Sequence, residues 1–133
     1  MGSRAASFAC LLALTVAGCG TADREADAGA AAQRFHAALE QGDGQAACDQ
    51  LNAETASKLQ KQEKQPCAEA ILSLELPKGG TVADTRVYVT SAFTTLADSG
   101  SDFLDEGPNG WRVSAAGCQR TAPSQPYDCE LEN

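Results

Sequence analysis

Pro66-Cys67-Ala68-Glu69-Ala70-Ile71-Leu72-Ser73-Leu74 and, beyond Pro77-Lys78-Gly79-Gly80, Thr81-Val82-Ala83-Asp84-Thr85-Arg86-Val87-Tyr88-Val89-Thr90 contain the change of period that decides the fold. In the first stretch Cys67, Ala70, Ile71 and Leu74 recur at i, i+3, i+4 and i+7, the apolar stripe of a helix, and Pro66 suits its first turn. The Pro-Lys-Gly-Gly segment ends that helix. In the second stretch Thr85, Val87 and Val89 alternate with Arg86, Tyr88 and Thr90, the period of a strand with two unlike faces. Residues before the change read as helix and residues after it read as sheet. The class is therefore α+β, with N-terminal helices packed on an antiparallel sheet of about four to five strands.

Toward the N-terminus, Ala31, Phe35, Ala38 and Leu39 form a stripe that predicts a helix from about Ala28 to Gln41, stopped by Gly42. Asp43, in a Gly-Asp-Gly turn, is placed to cap a second helix that carries Ala47, Cys48 and Leu51, breaks near Asn52 and resumes through Leu59. Toward the C-terminus, Thr90-Ser91 either turns the chain or carries the strand on with a bend into 92–97. Asp98-Ser99-Gly100-Ser101 is a turn, 102–105 a short strand, and Gly107-Pro108-Asn109-Gly110 another turn. Trp111, Val113 and Ala115 define a strand that should pair antiparallel with a last one over 127–131.

Cys48 and Cys67 lie on apolar faces of helices joined by a polar connection, so antiparallel packing pairs them. The entropic model gives such a closure about 3 kcal/mol. Pairing of the last two strands brings Cys118 to Cys129, but the parity of Cys118 is opposite to that of Trp111. A glycine bulge at Gly117 resolves the conflict by shifting the face by one residue.

Two further cysteines belong elsewhere. Arg4 is followed by an uncharged run from Ala5 to Ala17, too short for the ~20 residues that span a bilayer as a helix. The run ends in Val16-Ala17-Gly18-Cys19, which resembles the lipobox of bacterial lipoproteins. The resemblance implies cleavage between Gly18 and Cys19 and attachment of diacylglycerol to the Cys19 thiol. Residues 1–18 are then a signal peptide, 19–29 the lipidated cysteine with a flexible tether of about 35 Å reach, and 30–133 the folded domain. It further implies a cell-membrane location, lipid-anchored on the extracytoplasmic face. Two or more acyl chains hold a protein stably where one does not, each buried methylene contributing about 0.8 kcal/mol. With Cys10 in the discarded run, the remaining four cysteines make two disulfides in an oxidising compartment.

The 133 residues carry a formal net charge of −8, and residues 19–133 alone carry −9. Nucleic acid is an unsuitable partner for such a chain. No cofactor or metal is implied, since no Cys/His cluster or phosphate-cradling glycine motif is present.

Taken together, the three helices before antiparallel strands, Gly110-Trp111-Arg112-Val113, Ala116-Gly117-Cys118 and Tyr127-Asp128-Cys129 resemble small lipoproteins of high-GC Gram-positive bacteria with an NTF2-like (cystatin-like) roll. That resemblance covers roughly residues 28–133 and implies a curved sheet wrapped around helices, often leaving a cone-shaped pocket. It leaves function open. The leading expectation is a non-enzymatic module that binds a small apolar ligand or an envelope protein. The alternatives are an acid/base enzyme of the isomerase or cyclase type, and a structural spacer without a ligand. For the enzyme, Asp84, Arg86, Tyr88 and Asp102 are the polar strand residues that could point inward, though each is expected to be exposed. His36, the only histidine, is expected to be a polar residue on a helix flank, and Trp111 a core residue.

Overall fold

A computed structural model describes residues 20–97 and 100–133. Four helices, α1 (Thr21–Gln41), α2 (Gly44–Asp49), α3 (Ala53–Glu63) and α4 (Cys67–Ser73), precede five strands. These are β1 (Val82–Tyr88), β2 (Ser91–Leu96), β3 (Ser101–Gly107), β4 (Gly110–Gln119) and β5 (Asp128–Glu132). The strands pair antiparallel in the order β1-β2-β3-β4-β5, an open meander with the helices on one face. Phe35, Leu59, Ile71, Leu104 and Val113 are buried between the layers.

Local chemistry accounts for most of the boundaries. Gly42 ends α1 in the left-handed region (φ 69°). Asp43 then caps α2 by accepting from the Ala46 N–H at 3.0 Å, and Asn52 caps α3 by accepting from the Thr55 N–H at 2.7 Å. The chain does break at Asn52, where Leu51 forms a bridge to Val113 of β4. Cys48 and Cys67 are disulfide-bonded, and so are Cys118 and Cys129. The first bond sits where α2 and α4 approach so closely that a Cβ on Gly44 would lie 1.9 Å from the Ala68 carbonyl oxygen.

β4 carries the bulge expected at Gly117. Phe103 pairs with Ala115 and Ser101 with Cys118, so β4 has one extra residue there, and Gly117 has φ 65°. Cys118 beyond it is buried and faces Cys129 in register.

Four expectations are corrected. The helix expected from Ala28 begins at Thr21, so the stretch expected to be a tether is helical from that residue on. It lacks an apolar period because little of it is buried; Ala22, Arg24, Glu25 and Ala26 are good helix formers, and Arg24 is held by tertiary contacts to the sheet. α4 stops at Ser73, before the Pro-Lys-Gly-Gly segment, because the chain turns extended at Leu74 to send Leu76 into the core. The alternation of β1 ends at Tyr88, and Val89-Thr90 form a two-residue turn. The strand expected over 102–105 extends from Ser101 to Gly107. The proposed cleavage and lipidation residues Gly18 and Cys19, and Asp98-Ser99 of the expected turn, lie outside the described residues.

Substitution of the glycines tests this packing. Gly44→Ala is expected to lower unfolding free energy by about 3 kcal/mol, because a backbone oxygen must move. Gly117→Ala, left-handed and facing Leu76 and Glu130, should cost about 1–2 kcal/mol. Gly20→Ala, with open space around it, should be neutral. Urea denaturation measures all three.

Candidate functional site

Inside the molecule the notable group is His36. It sits on α1 after Phe35, whose ring meets it edge-on at 5.2 Å, and it is fully buried. Its Nδ1 lies 2.9 Å from the Pro77 carbonyl oxygen and its Nε2 lies 2.6 Å from Asp102 Oδ2. The other carboxylate oxygen of Asp102 accepts from the Gly117 N–H at 3.3 Å. Asp102 is also fully buried, so the expectations of a flank histidine and an exposed strand aspartate are both corrected.

The reason is positional. His36 falls on the same face of α1 as Ala28, Ala32 and Leu39, all buried. Asp102 shares the parity of Leu104, which faces the helices. Those spacings were available in the sequence, but the partners, 41 and 66 residues away, were not.

Both imidazole nitrogens face acceptors, an arrangement that suits the doubly protonated ring paired with a carboxylate. Burial pulls the His36 pKa down, while the hydrogen bond and charge of Asp102 and the Pro77 carbonyl raise it; the net is upward from 6.5. Neither side chain touches solvent, so the pair has no route to a substrate. Its geometry is that of a brace joining α1, the segment after α4, β3 and the β4 bulge. Thr94, opposite Asp102 on β2, is buried and its Oγ1 has no partner among the described residues.

The inner face is closed at its other end as well. Trp111 is 5% exposed, as expected of a core residue, and the Arg24 guanidinium lies over its ring at 5.5 Å. Arg24 also donates to the Val89 carbonyl and ion-pairs with Glu106. The first turns of α1 thus cover the tryptophan.

The outer face of the sheet is different. Arg86, Phe93, Phe103 and Ala115 are successive register partners on β1 to β4. Phe93, Phe103 and Tyr127 form a triangle with ring centroids 5.1, 5.5 and 5.3 Å apart, all half-buried. The exposed Arg120 guanidinium lies 4.6 Å from the Tyr127 ring centroid. With Arg86, Tyr88, Ser91 and Ala92 they line a depression of about 460 Å³. Asp84, Arg86 and Tyr88 are exposed and point away from the helices, and Arg86 is bonded to Asp84 at 3.0 Å. A second depression of about 460 Å³ is bordered by Glu75, Asp128, Glu130 and Arg120, and its lining is more polar than that of the aromatic one. Among the described residues no group of three or more His, Cys, Asp or Glu is placed to hold a metal ion, and no helix is long and apolar enough to cross a membrane.

The sequence marks Phe93 only as one member of a strand alternation. That Phe93 and Phe103 share one face is a result of the β2–β3 register, and Tyr127 reaches them from the residue before β5. Comparison with models of protein families, with curated proteins and with solved structures finds no match to this chain.

The brace makes a pH-dependent prediction. A histidine whose folded pKa is raised contributes its stability fully below the unfolded value of 6.5 and loses it as pH rises through the folded value. Unfolding free energy should therefore fall as pH rises above that value, and the fall should be absent in His36→Gln. Asp102→Ala should cost about 3–5 kcal/mol at neutral pH, since it strands a buried charge. Thr94→Val should be neutral or stabilising by about 1 kcal/mol, because it removes an unpaired hydroxyl. Urea titrations across pH check all three.

Proposed function

We propose that this protein is a membrane-anchored extracytoplasmic lipoprotein whose domain is a non-enzymatic binding module, with the outer face of its sheet as the binding surface. The observation that carries the reading is the aromatic triangle of Phe93, Phe103 and Tyr127, half-open to solvent and flanked by the Arg120 guanidinium. Three aromatic rings offer area and stacking to an apolar body, and an arginine held over one of them supplies a charge for an acidic group. The ligand class that fits is a largely apolar molecule, or an apolar side chain of an envelope protein, with a carboxylate or phosphate at one edge. In a chain of net charge −8, this cationic edge is a local exception rather than part of a general field.

The anchor in this reading rests on Val16-Ala17-Gly18-Cys19, and the two disulfides are in keeping with an oxidising compartment. A proton-transfer enzyme has less support. Among the described residues the fully buried ionisable groups, His36 and Asp102, are sealed from solvent and bonded to each other.

Mass spectrometry of the purified protein after solvent extraction tests the binding surface. An acidic, largely apolar compound should accompany the parent protein and be lost from Tyr127→Ser and Arg120→Glu, at a half-buried and an exposed position respectively. Retention by both variants would place binding elsewhere. For the anchor, Cys19→Ala should shift the protein out of the membrane fraction, and unchanged retention would sink the lipoprotein reading.

A further inference from the structure

The start of α1 and the turn between β1 and β2 lie at one end of the molecule. α1 runs antiparallel to β1: Gln33 bonds the Gly80 carbonyl and the Val82 N–H, Gly29 abuts Thr85, and Arg24 donates to the Val89 carbonyl. From the Gly29–Thr85 contact, eight residues of helix to Thr21 rise about 12 Å and four residues of strand to Val89 rise about 13 Å, so Thr21 lies near the level of the turn. The turn carries Val89, 83% exposed, next to Tyr88, 60% exposed; the only other exposed large hydrophobic among the described residues is Leu72 at 36%.

Val89 is also backbone-strained. It holds φ 55° at the first central position of a two-residue hairpin loop, where glycine is the favoured residue. A β-branched side chain in that conformation costs the fold strain and returns no packing, since it faces solvent.

Resting on the lipoprotein reading above, we infer that the Tyr88-Val89 turn seats in the lipid headgroup layer beside the acylated Cys19, so that the domain stands on its β1–β2 end. Gly20, the residue that follows Cys19 in the sequence, leads directly into the helix, so the described chain after the anchor residue is α1 rather than a flexible tether, and its first residues lie near the level of the turn. Valine supplies a small apolar tip, and tyrosine has the amphipathic ring favoured at membrane interfaces. The neighbouring Asp23 and Asp27 are exposed and acidic, so the contact is apolar rather than electrostatic and needs no anionic lipid. In this pose the aromatic depression opens sideways, above the membrane plane, with Tyr88 at its lower rim.

The test uses the full, membrane-extracted protein reconstituted in phosphatidylcholine vesicles that contain a lipid with a nitroxide near the headgroup. Val89→Trp places a reporter at the turn. Lys78→Trp places one beyond His36, about 18 Å along α1 from Arg24, in the same Trp111 background. The expected result is at least about twofold quenching of the added emission at position 89 and none at position 78. Intact mass on the same samples reads the anchor separately. Acylated protein with equal quenching at both positions, or with none at position 89, overturns this inference alone; a mass without acyl chains overturns it together with the lipoprotein reading.

Discussion

The contact on which the rest of the structure depends is the buried hydrogen bond between His36 and Asp102. Two polar side chains in an apolar interior are costly unless each polar atom is met, and here they are: Pro77 takes one ring nitrogen, Asp102 the other, and Gly117 occupies the second carboxylate oxygen. The four residues belong to α1, the segment after α4, the bulge of β4 and β3. The bulge allows Gly117 to present its N–H to Asp102, while Cys118 beyond it meets Cys129 in an unbroken β4–β5 register.

This network fills the sheet's inner face at one end, and Arg24 covers Trp111 at the other. The helix extension that covers Trp111 is also the segment that would join the domain to a lipid anchor. Stiffness there changes what an anchor would do. A helix starting at Thr21 would fix the attitude of an anchored domain, whereas a coil of the same length would let it tumble. The outer aromatic face and the Val89 tip lie away from that packed side, and the proposals for binding and for membrane contact rest on them.

Much of this was legible in the sequence, and the reasons differ by element. The change from a 3.6-residue to a two-residue period after Pro77-Lys78-Gly79-Gly80 separates helices from strands because each period reports one buried face. Gly42, Asp43 and Asn52 mark helix ends because capping is local chemistry, and the conflict in parity between Trp111 and Cys118 located the bulge. The brace was not legible, since a histidine one residue from Phe35 gives no local sign of partners brought by two other elements. The Thr21–Ala28 turns were missed for a related reason: their order comes from one long side chain, Arg24, reaching Val89, Glu106 and Trp111, and a single residue leaves no period. The aromatic surface needed the strand register, which no single segment encodes.

The central claim is that His36 is a sealed, doubly donating imidazolium rather than an acid/base group open to a substrate. As it is the only histidine in the chain, selective nitrogen-15 labelling of histidine isolates its two ring nitrogens in one NMR spectrum. At neutral pH both are expected to carry protons that exchange slowly with water, and the ring should stay protonated above the ordinary value of 6.5. A bare nitrogen at neutral pH, or a ring that titrates freely near 6.5 with rapid exchange, would contradict the claim.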